Sequence, residues 1–260
     1  MAFQKGNIKL EGNIGDLNFY KSGDQYKVRQ KSAKKTKGEI SNLAPRSKEN
    51  SHEFGCASSF SKNLRDAFKN AIGQHYQLFQ ESSNLNGIVK RINLIVKADE
   101  ISERGHRKVL PHNLMLLQNF SFNGNASLKD TVLIPIDVSY IKDRQKINVT
   151  IPNLRPEVHL DLPKGIDSFM VHAILFDIDH LDMTISTEYI YSELLSYHAP
   201  SPLIQLNTVK EYDFTKAKTL MVAIGVSLYK RTAGYPVPQI SPNLNCFDIV
   251  KLYSPATSIQ

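Results

Sequence analysis

Residues 168–178 read SFMVHAILFDI, an apolar run of strand length that falls far short of the roughly 18 residues a helix needs to cross a bilayer. Its branched and aromatic residues predict a β-strand. The same reading extends along the C-terminal half. Segments 116–122, 131–140, 146–151, 182–191, 218–230 and 246–253 show strand length, composition or alternation. Asn-Gly, Pro-Asn and Pro-Lys-Gly turns and proline-rich loops at 199–202 and 235–242 separate them. Seven or so strands at this spacing predict an antiparallel β-sandwich over residues 119–260. No repeat period is visible.

Upstream, over residues 51–118, the period becomes helical. Phe60, Leu64, Ala67, Phe68, Ala71 and Ile72 form one apolar stripe, with Asn50 or Ser51 as candidate cap and Gly73 as stop. Leu85, Ile88, Ile92, Ile95 and Val96 form a second stripe of about four turns. Both helices are amphipathic, each with one side to bury.

Residues 1–50 are different again. Ile8 and Leu10 alternate with polar neighbours, Gly12 and Gly15 bracket a turn, and Leu17 and Phe19 share a face. Ser22-Gly23-Asp24 then turns the chain into Tyr26 and Val28. This predicts a small β-meander followed by a polar, basic arm, KSAKKTKGEISNLAPRSKEN, over 31–50. The fold class expected is therefore α+β: N-terminal β-meander with basic arm, two amphipathic helices, C-terminal antiparallel β-sandwich.

The order of features resembles a family of Bacteroidetes proteins to which no reaction is assigned. The likeness is carried by GNIGDLNFYK at 12–21, PRSKENSHEFG at 45–55, GHRKVL at 105–110 and FSFN at 120–123, and covers about the first 130 residues. The resemblance implies an IGDLxFYK hairpin and an R-x-x-EN-x-x-EFG helix start, and no functional residues.

A 260-residue chain with 41% hydrophobic and 22% charged residues can bury a sizeable core without staples, which excludes wholesale disorder. Cys56 and Cys246 read as reduced, idle thiols. The opening MAFQKGNIKLEG lacks the apolar core of a secretory signal, so synthesis as a cytoplasmic chain is expected, with later release as part of a particle open to it. Charge is uneven: residues 1–110 hold 20 Lys+Arg against 11 Asp+Glu, residues 111–260 hold 12 against 14. The basic character belongs to the N-terminal part.

Reactive chemistry finds little support. Asp177, Asp179 and Glu188 match positions one, three and twelve of a calcium loop, but Leu181 and Asp182 occupy five and six, where six requires Gly. His52 with Cys56, and His106 with His112, lack the second close pair a structural zinc needs. There is no G-x-S-x-G elbow, no GxxxxGK[ST] and no GxGxxG after a strand. No cofactor, no metal and no catalytic residue are expected; a triad, recognised by geometry, stays open to the fold.

Two readings of the basic region remain. In the first the protein is a non-enzymatic structural or assembly subunit of a particle, filament or mobile-element-derived structure. It self-associates by strand addition through its hairpin and arm, with Ile14, Leu17, Phe19, Tyr20, Tyr26 and Val28 at the interface. In the second it binds nucleic acid, with Lys21, Lys27, Arg29, Lys31, Lys34, Lys35 and Lys37 on phosphates and Tyr20 and Tyr26 stacking on bases. Partners are thus copies of itself, another assembly component or nucleic acid, with no membrane span.

Overall fold

The computed structural model describes residues 2–6, 8–31, 44–79, 85–213, 218–241 and 243–254. The protein is α+β, and it divides into two compact units, Met1–Ser47 and Lys48–Gln260. The helical segment 51–118 and the strands of 119–260 thus belong to one unit.

The first unit is a four-stranded antiparallel sheet of β1 (Ala2–Phe3), β2 (Gly12–Ile14), β3 (Leu17–Ser22) and β4 (Gln25–Gln30), ordered β1-β4-β3-β2. Gly15 at φ +54° and Gly23 at φ +60° make its two tight turns. Both angles lie in the left-handed region that glycine adopts without steric penalty. Ile8 and Leu10, expected on a strand, lie in a loop pinned by Gln4, whose Oε1 accepts from Leu10 N at 2.8 Å.

The second unit is built around a sheet buried on both faces. β7 (Ser168–Asp179) and β11 (Lys218–Thr232) form its centre. β13 (Cys246–Tyr253) and β12 (Tyr235–Pro238) follow one another along the outer side of β11. β8 (Ile185–Tyr191) and β9 (Leu195–Ser196) do the same along β7. Alternation sends Ile174, Phe176 and Ile178 of β7 with Met221, Ala223, Phe247 and Ile249 into one core, shared with α1 (Pro45–Ile72) and α2 (Leu85–Lys97). The other face, Phe169, Val171, Ala173 and Leu175 with Leu220, Val222 and Ile224, packs on Ile147, Val149, Ile151, Ile204 and Leu206. These last belong to a three-stranded sheet ordered β10 (Ser201–Asn207), β6 (Lys146–Leu154), β5 (Asp137–Ile141). Burial on both sides is why β7 and β11 are continuous apolar runs rather than alternating ones.

Gly225 at the centre of β11 lets the β13 side chains approach. A Cβ there would overlap the Phe247 ring and lie 2.7 Å from the Cys246 carbonyl oxygen.

Several boundaries differ from expectation. α1 starts at Pro45, with proline in the first turn, rather than near His52; Gly73 ends it at φ +56°. Residues 116–122 are not a strand. A 3₁₀ helix covers His112–Leu117, burying Leu114 and Leu117, and the chain then runs along β13, with Phe122 N donating to Phe247 O at 2.7 Å. The strand expected over 131–140 occurs only as β5, after a helical turn at Leu128–Thr131 capped by Ser127. The loops expected at 199–202 and 235–242 contain β10 and β12. Their prolines, Pro202, Pro236 and Pro238, sit on the outermost strands of their sheets, where a missing N–H breaks no ladder.

Candidate functional site

The N-terminal sheet sorts its side chains by chemistry. Cross-strand pairs Phe19↔Val28, Ala2↔Val28, Gly12↔Phe19, Ile14↔Leu17, Leu17↔Gln30 and Lys21↔Tyr26 share one face. Pairs Tyr20↔Lys27, Phe3↔Lys27, Asn18↔Arg29, Asn13↔Asn18 and Ser22↔Gln25 share the other. The first face is apolar apart from Lys21 and Gln30. Strand residues of the second are two aromatics, two cations and four neutral polar side chains, with no carboxylate.

Contacts confirm the assignment. On the polar face Arg29 lies 5.4 Å from the Tyr20 ring centre and Lys27 5.9 Å from that of Phe3, and Asn18 Nδ2 donates to Asn13 Oδ1 at 2.8 Å. On the apolar face Lys21 and Lys9 lie 5.6 and 5.9 Å from the Tyr26 ring. The sequence-derived groups are therefore redistributed. Ile14, Leu17, Phe19, Tyr26 and Val28 lie together with Lys21, while Tyr20 lies with Lys27 and Arg29. Lys31 follows β4 and its Nζ donates to Gly15 O at 3.0 Å; Lys34, Lys35 and Lys37 fall outside the described residues.

No described residue of 2–31 is buried. Phe3, Ile14 and Leu17 keep 56%, 59% and 42% of their surface exposed. A small sheet ordinarily gains its stability by burying an apolar face; the apolar face of this one is at most half-buried.

A second cluster lies inside the larger unit, and sequence separation hid it. His172 is the one strongly polar group within the run SFMVHAILF, and it is fully enclosed. Its Nδ1 lies 2.7 Å from Tyr189 Oη and its Nε2 2.6 Å from Ser227 Oγ. Tyr189 Oη is 3.1 Å from His75 Nδ1, and Ser227 Oγ donates to Tyr229 Oη at 3.4 Å. With Ser227 donating inward, His172 carries its proton on Nε2 and accepts from Tyr189 on Nδ1, so each group in the chain donates once. Burial, aided by the neighbouring His75, holds the His172 imidazole at about 3; burial, with Tyr229 and Tyr191 adding, pushes Tyr189 well above the usual phenol. A neutral imidazole 2.6 Å from a serine hydroxyl has base–nucleophile geometry. Both are wholly enclosed and the third partner is a phenol, so the arrangement serves as a satisfied polar seam between helix end and sheet.

The quoted helix start and the turn at 104–108 come together. Glu53 Oε1 accepts Gly105 N at 2.8 Å, Arg104 bridges to Glu49 at 3.1 Å and donates to Asn50 Oδ1 at 3.0 Å. Gly105 at φ +86° leaves no room for a Cβ, which would meet Glu49 Cγ at 2.8 Å. Asp99 closes the same loop by accepting from Ile101, Ser102 and Lys108 amides. Burial opposes its charge, but these bonds outweigh burial and hold the carboxyl at about 2. These groups lock a loop to a helix.

The remaining sequence candidates separate. Asp177 pairs with Lys218 at 3.1 Å, Asp179 accepts Leu181 N and Asp182 accepts Thr184 N, so the acidic run is a tight β7–β8 turn. Glu188 turns away to accept Val209 N and, at 2.7 Å, Tyr212 Oη. The His52 and His106 rings are 5.9 Å apart, and among the described residues no three His, Cys, Asp or Glu side chains gather as ligands. Cys56 and Cys246 are free thiols; burial pushes Cys246 up to about 12 against a hydrogen bond with Thr131. Among the described residues no helix is long and apolar enough to cross a membrane. No protein family matches the chain, and no curated protein or solved structure is similar to it.

Proposed function

We propose that the protein is a self-associating assembly subunit whose N-terminal sheet docks, apolar face to apolar face, on the same sheet of a second copy. One observation carries this reading: Ile14, Leu17, Phe19, Tyr26 and Val28 converge on one face of a sheet in which no described residue is buried. A like face is the complement such a surface fits, since two sheets stacked about 10 Å apart interdigitate their inner side chains. The contact is isologous, the arrangement that closes a dimer. The edge strands β1 and β2 are two and three residues long, so strand addition supplies at most a short ladder and face packing supplies the main contact.

Size sets the strength. With strand spacing of about 4.8 Å and rise of about 3.4 Å per residue, the face spans on the order of 300 Å² per copy. Two such faces bury on the order of 600 Å², below the roughly 1,200 Å² of a stable interface. Association through this contact alone is weak and concentration-dependent, and a longer-lived particle would add contacts from elsewhere in the chain. The two-sheet body of the second unit, which we read as sandwich-like, acts in this account as scaffold.

Light scattering on the full chain tests the reading. The mass should rise with concentration from that of the 29.3 kDa chain toward twice that value or more, and Phe19→Arg should hold it at one chain. A wild-type protein that stays at one chain at high concentration, or a Phe19→Arg protein that associates as wild type does, contradicts it.

A further inference from the structure

The polar face of the N-terminal sheet looks away from the proposed docking face and has its own chemistry. Lys27 stands between two aromatic rings, directly opposite Tyr20 on β3 and Phe3 on β1. Arg29 lies over Tyr20, and Asn13, Asn18, Ser22 and Gln25 complete the face. At about 4.8 Å per strand the two rings are roughly 10 Å apart across β4. The strand residues of this face carry two cations and no carboxylate, so an approaching anion meets net attraction from them. The whole unit Met1–Ser47 is cationic, with ten Lys+Arg against four Asp+Glu.

We propose that this face binds single-stranded nucleic acid, Lys27 and Arg29 contacting phosphates while Tyr20 and Phe3 stack on bases. Rings set between cations on a flat sheet fit a strand whose bases are splayed and whose backbone runs beside them. A duplex keeps its bases stacked within and offers the rings no base to stack on, so a duplex would engage only the cations. The proposal does not depend on self-association, because the two faces are opposite sides of one sheet.

Fluorescence anisotropy of the full-length protein with a labelled oligothymidylate across a salt series tests it. Two phosphate contacts to a single strand predict a log–log salt slope of about −1.4. Lys27→Gln with Arg29→Gln should abolish most of that slope. Tyr20→Ala should weaken binding by about tenfold while leaving the slope unchanged. All three substitutions replace side chains that are not buried, and circular dichroism checks that the sheet is retained. Phe19→Arg, on the opposite face, should bind as wild type does, which separates this proposal from the assembly reading. Absence of binding at low salt overturns the proposal, as does an unchanged slope in the double variant. Equal affinity for duplex or for a sulfated polysaccharide of matched charge also overturns it, since it would leave a polyanion surface without base stacking.

Discussion

The sheet of the first unit and the larger sheet of the second use the same alternation toward opposite ends. In β7 and β11 both sides of the strand are covered, one by helices and one by a second sheet, so Phe169, Ile174, Phe176, Val222 and Ile224 lose all their exposure. In β2, β3 and β4 no residue is buried, and residues of equal hydrophobicity, Leu17 and Ile14 among them, keep about half their surface. Burial at about 25 cal/mol per Å² of apolar surface makes the larger sheet the source of stability. The smaller buries none of its described residues, and both contacts proposed above draw on that exposure. On the proposed reading, stability and interaction are assigned to different sheets.

The largest effect that sharpens this contrast is in the buried sheet. Phe176→Ala removes a fully enclosed ring and should destabilise the second unit by about 3–5 kcal/mol, read from the midpoint of urea unfolding. A loss under about 1 kcal/mol would mean that the sheet is less tightly covered than the full enclosure of Phe176 implies.

Acid should act on the same unit. His172 has a folded pKa of about 3 against 6.5 when free, so below pH 6.5 the unfolded chain takes up a proton that the folded one refuses. Stability therefore declines as pH falls from 6.5 toward 3, by on the order of 5 kcal/mol in total. His180, lowered by burial against the opposing charge of Asp179, contributes in the same sense. Asp99 works in a separate window: its stabilisation persists above its ordinary 3.8 and is lost only as pH falls through about 2. Urea midpoints measured from pH 7 to 4 should fall steadily in the wild type and more gently in His172→Gln. Parallel curves would remove His172 as the cause.

A smaller effect is expected at Gly225. Gly225→Ala drives a methyl into the Phe247 ring and should cost about 1–3 kcal/mol in the same assay. At the other end of the scale, Phe19→Ala on the open sheet should leave unfolding of the second unit within about 0.5 kcal/mol of wild type. A larger change would show that this face already serves the core.

Much of this contrast was legible in the residues. Continuous apolar runs identified β7, β11 and β13, and the stripes of α1 and α2 read correctly because each helix buries one side, Leu85 excepted, whose side chain lies outside the described residues. Legibility failed where local signals compete with position. Pro202, Pro236 and Pro238 argue against strands, yet they occupy outer strands where no ladder bond is lost. The apolar residues of 116–122 suggest a strand, but a 3₁₀ helix over His112–Leu117 buries Leu114 and Leu117 and leaves Leu116 exposed. The α+β class was readable, whereas the two layers covering the larger sheet were not, because they depend on which face of each strand meets which layer. In the candidate site, alternation gathered Leu17, Phe19 and Val28, and the two-residue turn at Gly23-Asp24 fixes the register that puts Tyr20 beside Lys27. Phe3 joins them only through the pairing of β1 with β4, and His75 meets His172 only through tertiary packing; neither leaves a trace in local sequence.

The chain contains no tryptophan, which permits the most direct test of the central claim. Phe19→Trp places a sole indole at the middle of the apolar face. If copies dock through that face, its emission should shift to the blue and lose quencher accessibility as protein concentration rises, in step with the mass from light scattering. Emission of a fully solvated indole at every concentration, while the mass increases or stays at one chain, would contradict the account.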